Sequence, residues 1–409
     1  MTAPQPPATP THLLRTHSSS ITTVFVSYDN ERIYSGDTSG LVVVTSTRSL
    51  RPITKWNPHT DSLLGIEEWG NPCHVLTVFS CRSHARDNKL HVWTRVEELS
   101  LSARVGSVAQ SVGEQVLPNL CYSMDVNALN YCRFSLLPYT SDQAQAFVAL
   151  PNLVDSTSVH IWNLPSCERI HAAVGQTGKV SLFNSNPVER SKTGIIMSLH
   201  IFKAPQDEPS SSTSNGELRL LCAYESGSVT LRRYARADKA TSVEGAGWEV
   251  IWDVKVHAET IMAMRVSRNN SFALTVSADH LVGRYDLGSN DGNTACVLHR
   301  TKHPGNAAIA IHDNERVCVV AGWDGSLRLH STRTMKLLGT LKYHKTSCQA
   351  AEFAHSLDAV TTVSVDQKLN NSDDDEEMGE TEKEERARWL IAGGKDNRVS
   401  IWTLMDFVK

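Results

Sequence analysis

One unit recurs from end to end of this chain and limits what it can fold into: a short apolar strand, a tight turn built on Asp or Gly, then an alternating strand that often ends in an aromatic residue. The plainest copies are WLIAGGKDNRVSIW, residues 389–402, and VCVVAGWDGSLRLH, residues 317–330. Weaker copies centre on Asp37, Asp87, Asp155, Glu225 and Asp279, which with Asp324 and Asp396 makes seven markers spaced 45 to 72 residues apart. A strand-rich repeat of about 40 to 45 residues is the period of a propeller blade, so the excess length falls in loops.

A His precedes several turns at the place where a blade's first strand begins: His17 before Asp37, His59 before Asp87, His257 before Asp279 and His344 before Asp396. A buried His joined to the turn Asp, with a hydroxyl and an aromatic on the strands between, ties three strands of one sheet together. His257, Ser277, Asp279 and Tyr285 are expected to form such a network in the fifth copy. In the first, His17, Ser35 and Asp37 are joined by Val43 where the aromatic is due. In the last, His344, Asp396 and Trp402 go with Gly393 and Gly394 in place of the Ser.

These residues carry a resemblance to WD-repeat proteins over nearly the whole chain, from about His12 to Trp402. The resemblance is strong in the last two copies and weak in the fourth, which has Glu225 for the Asp and no His. The run AGWDGSLRLHSTRTMKLLGTLKYHKTS, residues 321–347, followed by IAGGKDNRVSIWTL, is similar to the ASTRA-associated WD-repeat proteins of fungi, related to an animal G-protein-β-like protein. The resemblance implies an all-β, seven-bladed WD-repeat β-propeller closed by an N-terminal strand. It also implies a non-enzymatic scaffold of a nuclear complex, also present in the cytoplasm, whose partners are ASTRA and co-chaperone subunits linked to chromatin remodelling and to maturation of phosphatidylinositol-3-kinase-related kinases. The alternative from another class is a reader of a modified peptide, such as a histone tail, in the central channel; that needs an aromatic or acidic cage.

The expected organisation is a disordered head over residues 1–10 and a single propeller over 11–409, with the strand at 12–16 completing the last blade. Inserted loops are expected at about 97–118, 205–217 and 370–387, each too polar or too poor in alternation for a core strand. Nine acidic residues fall within 372–386, which reads as a solvated, mobile loop.

Chemistry finds no anchor. The sequence has no HExxH, no close Cys/His cluster, no GxSxG and no GxxxxGK[ST], so no metal, cofactor or small-molecule substrate is expected. Nine scattered cysteines without a CxxC pair read as reduced thiols. Forty Lys+Arg against 44 Asp+Glu, with no dense basic cluster, disfavours direct nucleic-acid binding, and no apolar run is long enough to span a membrane. Partner binding is expected at the residue just before each marker, a series that reads Gly36, Arg86, Val154, Tyr224, Ala278, Trp323 and Lys395. Arg86, Tyr224, Trp323 and Lys395 are its candidates, because large amphipathic side chains dominate binding hot spots.

Overall fold

The computed structural model describes residues 9–70, 74–79, 88–97, 116–139, 144–176, 193–204, 216–236, 238–356 and 379–407. The chain is an all-β propeller whose described residues form seven four-stranded antiparallel sheets. β1 (His12–Leu14) stands apart from the first sheet, which holds β2 (Ile21–Val26), β3 (Arg32–Asp37), β4 (Val42–Ser46) and β5 (Pro52–Trp56). The second holds β6 (Leu63–Trp69), β7 (His74–Phe79), β8 (Lys89–Thr94) and β9 (Leu120–Asp125), and the third β10 (Ser135–Pro138), β11 (Ala146–Pro151), β12 (Val159–Leu164) and β13 (Glu168–Val174). The fourth holds β14 (Ile196–Lys203), β15 (Leu218–Tyr224), β16 (Ser228–Tyr234) and β17 (Trp248–Lys255), and the fifth β18 (Ile261–Val266), β19 (Phe272–Ser277), β20 (Leu281–Asp286) and β21 (Cys296–Arg300), the last preceded by the one-turn helix α1 (Gly292–Ala295). β22 (Asn306–Ile311), β23 (Val317–Gly322), β24 (Ser326–Ser331) and β25 (Leu337–Lys342) make the sixth. The seventh joins β26 (Cys348–Phe353), β27 (Trp389–Gly394) and β28 (Val399–Thr403) to β1.

Burial follows from position in the sheet. The second strands β19, β23 and β27 are buried at every residue, because a neighbouring sheet covers each face; that is why they read as nearly continuous apolar runs. The fourth strands β17 and β21 are mostly exposed. Seven apolar clusters each join two consecutive sheets, and one of them closes the ring by packing Leu14, Val24 and Ile33 against Ile391 and Ile401. β1 pairs antiparallel with β28, His12 opposite Ile401 and Leu14 opposite Val399, so β28 is not an open edge.

In an antiparallel meander the connectors leave alternately from the two ends of the sheet. The second-to-third turns, which carry the markers, therefore share one face of the ring with the connectors that run from each fourth strand to the next sheet. The first-to-second and third-to-fourth connectors share the other face. The stretches expected as insertions, around 97–118, 205–217 and 370–387, lie in the sequence between β8 and β9, β14 and β15, and β26 and β27. Most of their length, like most of the expected head, lies outside the described residues.

One expectation is overturned. The end of the acidic stretch, read as loop, is the helix α2 (Glu380–Ala387). Arg386 closes it: its guanidinium is buried over the Trp389 ring and donates from Nε to the Thr47 carbonyl at 3.3 Å, so the last turn is held by the first and seventh sheets. Eight residues rich in Glu give no apolar periodicity, and Arg386 is the buried residue of the helix.

Candidate partner-binding face

The geometry of this face starts with the His-bearing connectors. His17 lies 2.8 Å from Asp37 through Nδ1 and 2.8 Å from Ser35 Oγ through Nε2. His257 repeats the arrangement, with Nδ1 3.0 Å from Asp279 and Nε2 2.8 Å from Thr275 Oγ1, which is itself 3.4 Å from the Tyr285 hydroxyl. His344 has Nδ1 2.8 Å from Asp396 and Nε2 2.8 Å from Ser400 Oγ, which also accepts from the Trp402 indole at 3.1 Å. A carboxylate only accepts, so Nδ1 carries the proton and, in the neutral ring, Nε2 accepts from the hydroxyl. Burial holds the His257 pKa below its ordinary value against the pull of Asp279, which favours that neutral ring. Asp37, despite its burial, is held below the usual carboxylate range by hydrogen bonds from His17 and Ser39.

The hydroxyl is where sequence and structure part. Ser277, expected in the network, accepts a stretched 3.4 Å bond from the Asp279 amide instead, and Thr275 takes its place. Ser35 and Thr275 occupy the same register, opposite Val43 and Gly283. In the seventh sheet that cross-strand pair is Ala392 and Ser400, so the hydroxyl comes from the facing strand. The glycines at 393 and 394 leave no gap in the network.

The fourth and sixth sheets, which lack the His, use arginine. Arg328 on β24 pairs with Asp324 through both terminal nitrogens. Arg232 on β16 sits opposite Leu220, the register that Trp402 and Tyr285 hold opposite Leu390 and Ala273, and donates to the Tyr224 hydroxyl at 3.1 Å. Sequence reading missed both arginines; an Arg on an inward register of a third strand was the available signal. His59 is buried and stacked on His91 with ring centroids 4.7 Å apart, and its expected partner Asp87 lies outside the described residues.

Glycine couples one sheet to the next. Gly40 and Gly325 have φ of +84° and +77°, and a Cβ at either would run into the carbonyl of the His that heads the following sheet, His59 or His344.

The four partner-binding candidates separate. Trp323 is 48% exposed and Lys395 is exposed. Arg86 lies outside the described residues. Tyr224 is a correction: it is 2% exposed and belongs to an apolar cluster between the third and fourth sheets. Pairing explains it. In the first, fourth, fifth, sixth and seventh sheets the residues opposite the first position of the first strand are Asp37, Tyr224, Ser277, Gly322 and Gly394, so Tyr224 matches Gly322, and the fourth sheet's counterpart of Trp323 is the exposed Glu225. Aligning on the acidic residue shifted that copy by one place. Val154 is 93% exposed, Ala278 partly buried and Gly36 buried within β3.

First strands from all seven sheets line a central cavity of about 680 Å³, with Trp323 and Met262 among its lining residues. Its acids are matched by arginines: Glu67 with Arg133 at 3.2 Å, Glu352 with Arg265 at 2.7 Å and Asp313 with Arg268 at 2.9 Å. Among the described residues no group of three or more His, Cys, Asp or Glu is placed to hold a metal ion, and no helix is long and apolar enough to cross a membrane.

No family model matches the chain. It is similar to ASTRA-associated protein 1 of Penicillium rubens, 28% identical over 98% of each chain, and to ASTRA-associated protein 1 of Schizosaccharomyces pombe, 26% identical over 88% of this chain and 98% of that one. The mouse guanine nucleotide-binding protein subunit beta-like protein 1 is 23% identical over 98% of this chain and 97% of its own. With its ring of four-stranded sheets, the chain is an all-β propeller, similar over nearly all its length to the fungal ASTRA-associated proteins.

Proposed function

We propose that this protein is a non-catalytic scaffold subunit of a nuclear assembly of the ASTRA kind. The observation that carries the reading is the near full-length similarity to several fungal ASTRA-associated proteins. A ring of seven sheets supports seven blades closed by β1, a rigid body on which loops of both faces present contacts. The marker face, with Trp323 and Lys395 exposed, is the proposed docking side, and the buried networks are its support. A peptide reader finds less to work with, because the channel acids that a cationic side chain needs are already paired with Arg133, Arg265 and Arg268. Affinity purification of the tagged chain from fungal nuclei tests the proposal. Co-purification of ASTRA and co-chaperone subunits is expected; recovery of the chain alone, at physiological salt, counts against it.

A further inference from the structure

One arc of the marker face presents more exposed Lys and Arg than exposed acids, in a chain whose formal charge is −4. Its connectors touch in series from the fifth sheet round to β1. The Trp323 amide donates to the Gly305 carbonyl at 2.8 Å, which places residues 301–305 beside Trp323. Gly325 packs on the carbonyls of His344 and Thr346, the Lys395 amide donates to the Ser347 carbonyl at 2.8 Å, and Asn397 donates to the Ser18 carbonyl at 2.8 Å. Along this arc Arg15, Lys302, Lys345 and Lys395 are exposed, and none of them forms an ion pair among the described residues. The arc's marker acids are paired, Asp279 with His257, Asp324, half exposed, with Arg328, and Asp396 with His344, which leaves Glu259 as an exposed acid against four exposed cations. Trp323 and Met262, 48% and 38% exposed, both line the central cavity and expose apolar surface on this arc.

Cations without partners around an exposed aromatic are complementary to an anionic chain that also has an apolar side chain to bury. We propose that this arc receives an acidic peptide segment of a partner protein, with one bulky apolar residue seated on Trp323 and Met262. Four cations and a single exposed aromatic are too few to track a nucleic-acid backbone, which favours the peptide. The proposal rests on the scaffold reading and names the chemistry of one partner.

The test uses the purified full chain and a fluorescein-labelled peptide of Asp and Glu with one central Phe, read by anisotropy. Peptides with Ser for the Phe, or Lys for the acids, serve as controls, and a single-stranded oligonucleotide and inorganic phosphate as competitors. Selective binding of the acidic Phe peptide is expected, weakened by added salt and about tenfold or more by Lys345→Glu with Lys395→Glu, and similarly by Trp323→Ala. Lys345 adjoins the buried His344, so Lys302→Glu with Lys395→Glu repeats the test should the first pair lower the melting midpoint. Binding unaltered in folded variants, equal binding of the Lys peptide, or tighter binding of the oligonucleotide would overturn the proposal. Absence of peptide binding alongside intact recovery of nuclear partners rejects the acidic segment and leaves the scaffold reading standing, so the two failures are distinguishable.

Discussion

Replacing Thr275 by Val removes one hydroxyl from the fifth sheet at almost constant volume. The His257 side chain is fully buried, so no solvent reaches Nε2 when its 2.8 Å partner is gone. Moving the proton to Nε2 does not help, because Nδ1 would then face the Asp279 carboxylate with a lone pair. Protonating both nitrogens restores the Asp279 pair but leaves a buried N–H unsatisfied. The cost is that of one orphaned buried polar group, about 1–3 kcal/mol, with the Tyr285 hydroxyl losing a neighbour as well. Ser277→Ala, the change suggested by spacing alone, breaks only a 3.4 Å bond and is expected to cost less than about 1 kcal/mol. Urea unfolding followed by fluorescence compares them: Thr275→Val lowers the midpoint clearly, Ser277→Ala hardly, and Thr275→Ser recovers most of the loss. Equal midpoints for the Val and Ala variants, or a larger loss at Ser277, would refute the assignment of the hydroxyl to Thr275.

Removing residues before Arg15 takes away the three pairings of β1 and the burial of Leu14, the latter worth about 1.5–3 kcal/mol, and a lowered melting midpoint is expected; an unchanged one would contradict ring closure by β1. Tyr224→Ala is expected to destabilise by about 3–5 kcal/mol as a core truncation, whereas Trp323→Ala leaves the midpoint unmoved, which circular-dichroism melts distinguish. His160, His171 and His200 are held down at about 4 by burial, so they stay neutral in the fold while their unfolded counterparts protonate below about pH 6.5. Stability is therefore full above that pH and falls as the pH drops through 6.5 towards 4, and His200→Gln flattens part of that slope in a melting series against pH.

The propeller was legible because the second strands are buried on both faces and so must be apolar, while the turns between second and third strands need Asp or Gly; both demands show in the sequence as period and punctuation. Trp402, Tyr285 and the three histidines with described partners were legible for the same reason. Ser35 was legible too, but the hydroxyls of the fifth and seventh sheets were not, because Thr275 and Ser400 come from opposite members of one cross-strand pair, and a linear pattern does not reveal which member contributes. Tyr224 misled because the fourth sheet's acidic marker sits one place nearer the strand than Asp324 does. Arg232 and Arg328 escaped notice because a charged side chain on an inward register looks like an error until the structure supplies its partner.

The pairing of β1 with β28 also sets an order of events during synthesis. Thr11 and Thr403 are hydrogen-bonded although 392 residues separate them, and closing so long a loop in an unstructured chain costs about 5 kcal/mol of entropy. The earlier sheets each draw on a continuous stretch of chain and can form while translation continues, but the seventh waits for β28 to emerge. Until then β1 has no mate and the inner strands of the first sheet have no seventh sheet to pack on, leaving Val24, Val26 and Ile33 uncovered. The nascent ring is thus longest in its sticky, incomplete form just before the last strand arrives, and that interval is when the chain has most need of a chaperone.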